Sequence, residues 1–238
     1  MSLGLKHRIK TRVATHALVS LLLLGAAGQT TAALISQTQG NSAPGFNDGD
    51  VPDVVDLVNA QSGSSPFVGG LGSDLSENGL ATWTFNYGAI AFPLVSASLQ
   101  IGIADHDSAA LGSQLSAFTA DGGDFTSMLD GLFESGGGAG DGDGQYRIFT
   151  LDLSSILPNL ADGSASISLE LKGPGLLTDI FNNNAEVSSG FNGFFLVFSK
   201  LDIVTQDQTP TVPEPGTVML FGIGALALAG AAHRRKRA

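Results

Sequence analysis

Val95-Ser96-Ala97-Ser98-Leu99-Gln100-Ile101-Gly102-Ile103 is the stretch on which the reading of this chain turns. Val95, Ala97, Leu99, Ile101 and Ile103 alternate with Ser96, Ser98, Gln100 and Gly102. Successive side chains of a strand point to opposite faces, so a period of two predicts a strand with one buried face. The same period recurs on both sides of it. Trp83, Phe85 and Tyr87 alternate with Thr82, Thr84 and Asn86. Phe149, Leu151 and Leu153 alternate with Ile148, Thr150 and Asp152, and Ile167, Leu169 and Leu171 with Ser166, Ser168, Glu170 and Lys172. Phe194-Phe195-Leu196-Val197-Phe198, continued by Leu201 and Ile203, is apolar on both faces. It predicts a central strand, or one covered on its second side.

Helical spacing is scarce. Phe125, Met128, Leu129, Leu132 and Phe133 fall at i, i+3, i+4, i+7 and i+8, which predicts one short amphipathic helix. A further turn is expected from Ser154 to Leu157, stopped by Pro158. A parallel α/β sheet needs a helix after nearly every strand, and none is available. No fixed-period repeat suggests a solenoid or propeller. The expected fold class is therefore all-β: a single β-sandwich or jelly-roll-like domain over residues 81–206, with one or two short helices. Residues 34–80 are rich in Gly, Ser, Asn and Asp and are expected to carry little regular structure, with Val54, Val55, Leu57 and Val58 as one possible strand.

The chain has 238 residues, a net charge of −11 and no cysteine. Disulfides, thiolate metal sites and a cysteine nucleophile are excluded. Charge is distributed unevenly. Lys6, Arg8, Lys10 and Arg12 stand at the front and Arg234, Arg235, Lys236 and Arg237 at the back. Between residues 34 and 213, three basic side chains face 21 acidic ones, a balance of −18. A body of that sign is not expected to bind nucleic acid.

The two ends read as address labels. The basic front is followed by an apolar run from Ala17 to Ala27 and by Thr30-Thr31-Ala32-Ala33. That layout predicts a signal peptide over residues 1–33, handled by the Sec translocon and cleaved near Ala32 or Ala33. At the back, a linker over 207–215 contains Pro213-Glu214-Pro215. A Gly- and Ala-rich apolar segment and a basic tail follow over 216–238. As a helix, the apolar part is about 24 Å long, a marginal membrane span. The basic tail is expected to stay cytoplasmic, placing the body on the far side of the inner membrane. This three-part ending resembles the PEP-CTERM sorting signal of Gram-negative bacteria. The resemblance covers Val212 to the C-terminus and leaves the central domain unassigned. It implies recognition by an exosortase, a membrane-embedded protease that cuts near Pro213, Glu214 and Pro215. It also implies delivery to the cell surface or extracellular matrix and an exopolysaccharide context.

Within the body, Asp105-His106-Asp107-Ser108 follows the Ile103 strand, and Gly140-Asp141-Gly142-Asp143-Gly144 forms a second acidic loop. Alternation would keep Asp105 and Asp107 on the face of Ile101 and Ile103. Calcium takes six to eight oxygen ligands on a pliant loop, and Asp105, Asp107, Asp141 and Asp143 are the candidates for it. Equally, Asp and Gly are ordinary turn residues. His106 is the one histidine of the body, too few for a usual catalytic zinc site, and no Gly-x-Ser-x-Gly elbow accompanies it. Paired carboxylates, the requirement of a glycosidase, are common by chance among so many acids. Gly136-Gly137-Gly138 lacks the Gly-Lys-Ser/Thr of a phosphate loop. The expected function is that of an exported, exosortase-processed structural or binding protein without enzymatic activity, with extracellular polysaccharide as its expected partner. The alternatives are a secreted carbohydrate-active hydrolase and a calcium-dependent surface lectin or adhesion module.

Overall fold

In the computed structural model, which describes residues 32–105, 112–136, 145–179 and 185–206, the alternating segments form antiparallel sheets. Ten strands run in chain order: β1 (Ala32–Gly40), β2 (Leu80–Asn86), β3 (Leu94–Ala104), β4 (Leu115–Ala120), β5 (Gly123–Asp124), β6 (Tyr146–Asp152), β7 (Ser164–Leu171), β8 (Gly175–Asp179), β9 (Ala185–Ser189) and β10 (Phe195–Gln206). Among the described residues two helices accompany them, α1 (Val54–Ala60) and α2 (Thr126–Gly136), with 3-10 turns at Ser154–Ile156 and Asn159–Asp162.

One sheet has the order β1-β10-β3-β6, a second β2-β7-β4-β5, and β8-β9 is a separate hairpin. With that hairpin set aside, the remaining eight strands follow the order 1-8-3-6 over 2-7-4-5, the strand succession of a jelly roll. The inward residues of both large sheets meet in one apolar cluster. Trp83, Phe85, Ile167 and Leu169 come from one sheet and Leu99, Ile101, Leu151, Leu201 and Ile203 from the other. Phe125, Leu129 and Phe133 add the apolar face of α2.

The doubly apolar segment is indeed an inner strand. β10 pairs with β1 on one side and β3 on the other. Its second face is also covered: Val197 and Phe198 join Leu57, Ala104 and Tyr146 in a smaller cluster beneath α1. The edges of the two sheets are joined by side chains. Gln37 and Gln39 of β1 donate to the carbonyls of Asn86 and Thr84 on β2, each at 2.7 Å. Carbonyls that an edge strand would leave unpaired are thereby used.

The stretch 34–80 departs from its expected lack of regular structure. It contributes most of β1, and the compact unit runs from Ala32 to Gln206 rather than from residue 81. Val54, Val55, Leu57 and Val58 belong to a helix, not a strand. The Asp53 side chain accepts the Asp56 N–H at 2.8 Å, and Leu57 and Ala60 turn to the body together. Two apolar positions face outward against expectation, Val95 of β3 and Met128 of α2. Among the described residues no helix is long and apolar enough to cross a membrane. The expected signal helix and C-terminal membrane segment lie outside the described residues.

Candidate functional site

Three groups of residues bear on function: the chain ends of the body, the acidic loops, and the outer faces of the sheets. The first described residue of β1, Ala32, is the register partner of the last residue of β10, Gln206. Both address segments therefore join the body at neighbouring strand ends. Pro213, Glu214, Pro215, Arg234, Arg235, Lys236 and Arg237 lie outside the described residues.

Of the four expected calcium ligands, Asp105 is described, while Asp107, Asp141 and Asp143 lie outside the described residues. β3 ends at Ala104, and Asp105 takes a left-handed backbone with φ 58°. Strand alternation stops there, so it does not carry the Ile103 face to Asp105. Among the described residues no cluster of three or more His, Asp or Glu side chains is placed to hold a metal ion.

The outer face of the first sheet holds a row that sequence reading did not single out. Ser36, Asp202, Ser98 and Asp152 are successive register partners across β1, β10, β3 and β6. Asp202, Ser98 and Asp152 border an open groove of about 410 Å³ with Thr150 and Ser154. Asp202 and Asp152 stand two strand spacings apart, about 9–10 Å along the row. Burial pushes the Asp202 carboxyl up, but hydrogen bonds from Lys200 and Ser36 and the Lys200 charge outweigh it and hold it below the usual range. The Lys200 Nζ–Asp202 distance is 2.7 Å. Asp152 is lowered by bonds from the hydroxyl and N–H of Ser154. Both carboxylates are thus held ionised. A glycosidase needs one carboxyl with a raised pKa as proton donor, and this pair supplies none. Finding the row from sequence required the strand order, because its members are far apart in the chain and only the pairing of β10 with β3 aligns them.

On the opposite sheet, Thr82, Ser168 and Thr119 are register partners in the same manner, and the Thr84 and Ser166 hydroxyls lie 3.2 Å apart. They line an open groove of about 370 Å³. Trp83 turns inward from this face and packs edge-on against Phe67, with ring centroids 5.9 Å apart, so it offers no exposed stacking surface.

The comparison with known families adds to the chain ends and not to the body. No curated protein matches the chain, and no family model matches the central domain. Residues 211–236 match the PEP-CTERM protein-sorting motif, which marks this chain as an exosortase-targeted protein exported through the membrane to the cell surface.

Proposed function

We propose that the chain is a non-catalytic structural or binding protein of the cell surface or extracellular matrix, with hydrated polysaccharide as its partner. The Sec translocon exports it, and its signal peptide is removed near Ala32 or Ala33. Residues 216–238 hold it in the inner membrane, with the Arg234–Arg237 cluster in the cytoplasm. An exosortase cuts near Pro213-Glu214-Pro215 and releases or transfers the body. The observation that carries this reading is the sorting motif over residues 211–236, beginning five residues after β10 ends at Gln206. A proline on either side disfavours a helix at the residue between them, and an extended site is what a protease reads. The outer faces, with Thr and Ser hydroxyls on one sheet and ionised Asp152 and Asp202 on the other, suit a ligand rich in hydroxyl groups.

Mass spectrometry of the exported protein tests processing. From cells with exosortase, the mature C-terminus should fall near residues 213–215. From cells lacking it, the full chain should remain in the membrane fraction. Recovery of residues 234–238 on extracellular protein from exosortase-containing cells overturns the reading. Co-sedimentation of the mature protein with the cell's own purified polysaccharide tests the binding role.

A further inference from the structure

The row that ends at Asp152 has a neighbour on the outer face of the first sheet. Thr38, Lys200, Gln100 and Thr150 are register partners two residues along the same four strands. Residues two apart on a strand share a face, so the two rows lie side by side. Of their eight side chains Lys200 is the one base, and its Nζ is held by Asp202 at 2.7 Å. The other two bases between residues 34 and 213 are elsewhere: Arg147 has the opposite parity on β6, and Lys172 follows β7 in the second sheet.

The hydrogen bonds of the groove leave acceptors open. Asp152 is exposed, and one of its oxygens, Oδ1, accepts both the N–H and the hydroxyl of Ser154. Among the described residues nothing donates to the other, Oδ2. The Thr150 hydroxyl receives only a long bond, 3.4 Å, from the Gln100 amide. An ionised carboxylate accepts and never donates, whereas a hydroxyl does both. A sugar hydroxyl therefore has a partner at every point of this lining, and its bond to a carboxylate is of the stronger, charge-assisted kind. A sugar carboxylate has the reverse chemistry. It brings acceptors where acceptors already stand, finds Lys200 engaged, and adds negative charge to a body whose balance is −18. The groove's volume, about 410 Å³, lies within the range of about 300–1,000 Å³ usual for small-ligand clefts.

We propose that the groove between Asp152 and Asp202 selects an uncharged polysaccharide over one that bears carboxylates. Asp152 Oδ2 receives hydroxyl protons from the sugar, and the two aspartates together turn an acidic polymer away. This rests on the polysaccharide reading and adds the class of polymer and the face that chooses it.

The test is co-sedimentation of the exported protein with the cell's own purified polysaccharide in two matched forms, in buffer containing a chelator. In one form the carboxyl groups are reduced to alcohols; in the other the primary alcohols are oxidised to carboxylates. The reduced form is expected to bind at least about tenfold more tightly at low salt. That ratio should shrink as ionic strength rises from about 0.01 M to about 1 M, because the repulsion is screened. Asp152→Asn should weaken the reduced form at least about threefold and narrow the ratio, while Asp152→Glu keeps it. Glu77→Gln, which removes the same charge from an exposed loop outside the groove, should leave both unchanged. The thermal midpoint of each variant confirms that the body is folded. Equal or tighter binding of the oxidised form overturns the proposal, as does an unaltered ratio in Asp152→Asn. Capture of the oxidised form that appears only with added calcium also overturns it, by assigning the groove to a cation bridge. Sedimentation with neither form has a different meaning: it removes the polysaccharide reading itself, and the proposal with it.

Discussion

Gly102 shows how closely a single position in β3 is constrained. A Cβ built there meets the ring of Phe198 and the Tyr146 hydroxyl, both part of the buried cluster under α1. Neither ring has space to retreat, since Phe198 and Tyr146 are both buried. Gly102→Ala is therefore expected to cost about 1–3 kcal/mol, the usual penalty of overpacking, despite alanine's better strand entropy. A urea titration with an unchanged midpoint would show the cluster to be looser than its contacts imply. Asp202 sets a different kind of dependence. Its carboxyl is held below the usual range in the folded protein, whereas in an unfolded chain it titrates at about 3.9. A depressed folded pKa stabilises above the unfolded value and loses that stabilisation as pH falls through the folded one. Asp202→Asn should thus lower the thermal midpoint at pH 7, and the two proteins should converge as pH drops below about 4. Parallel curves across that range would assign the effect to packing rather than to the Lys200 and Ser36 contacts.

Elements differ in how plainly their residues announce them. β2 and β7 keep a strict alternation because one face is buried and the other polar, β3 and β6 keep it over Ala97–Ile101 and Ile148–Asp152, and β10 reads as an inner strand because both its faces are covered. β4 escapes the same test: a bulge between Leu115 and Ala117 shifts its register, so buried Leu115 and Phe118 are three residues apart. β1 is hidden because glutamines, Gln37 and Gln39, occupy positions where alternation looks for apolar residues, and their amides serve β2. α1 misleads through composition, since valine favours strands, while the deciding signals are the Asp53 cap and the Leu57–Ala60 spacing. The candidate groove at Asp152 and Asp202 is illegible for a related reason: it exists only once β10, β3 and β6 are aligned. The β8-β9 hairpin depends on contacts outside itself, because a two-stranded ribbon is marginal alone. Asp74 accepts the N–H of Leu176 at 3.3 Å and of Gly193 at 2.9 Å, and its carbonyl accepts the Ser189 hydroxyl. Asp74→Ala is expected to loosen the hairpin locally by about 1–3 kcal/mol per lost charged bond. Hydrogen exchange should quicken at residues 175–177 and 187–189 and stay slow in β3 and β10. Uniform acceleration throughout the body would instead make Asp74 a determinant of global stability.

At the scale of the whole molecule, the order of the chain and the order of the sheet are in tension. β10 is among the last segments of the body in sequence, yet it is the inner strand on which β1 and β3 are both laid. Its Leu196, Val197, Phe198, Leu201 and Ile203 are all buried. At about 1.5–3 kcal/mol for each such side chain, their burial amounts to roughly 10 kcal/mol, comparable with the whole stability of a domain of this size. The first sheet therefore cannot close until residue 206 has been made and exported. The proposed cleavage near Pro213-Glu214-Pro215 comes after that point in the chain and leaves Phe195–Gln206 intact. A chain stopped after Gln206 is expected to match the thermal midpoint of the processed protein and to resist protease equally. A chain stopped after Phe194 is expected to show no cooperative transition, since β1 would lose its partner along its full length. Cooperative melting of that shorter chain would mean that β3 and β6, with the second sheet, suffice for a core, and the dependence of folding on the late strand would be withdrawn.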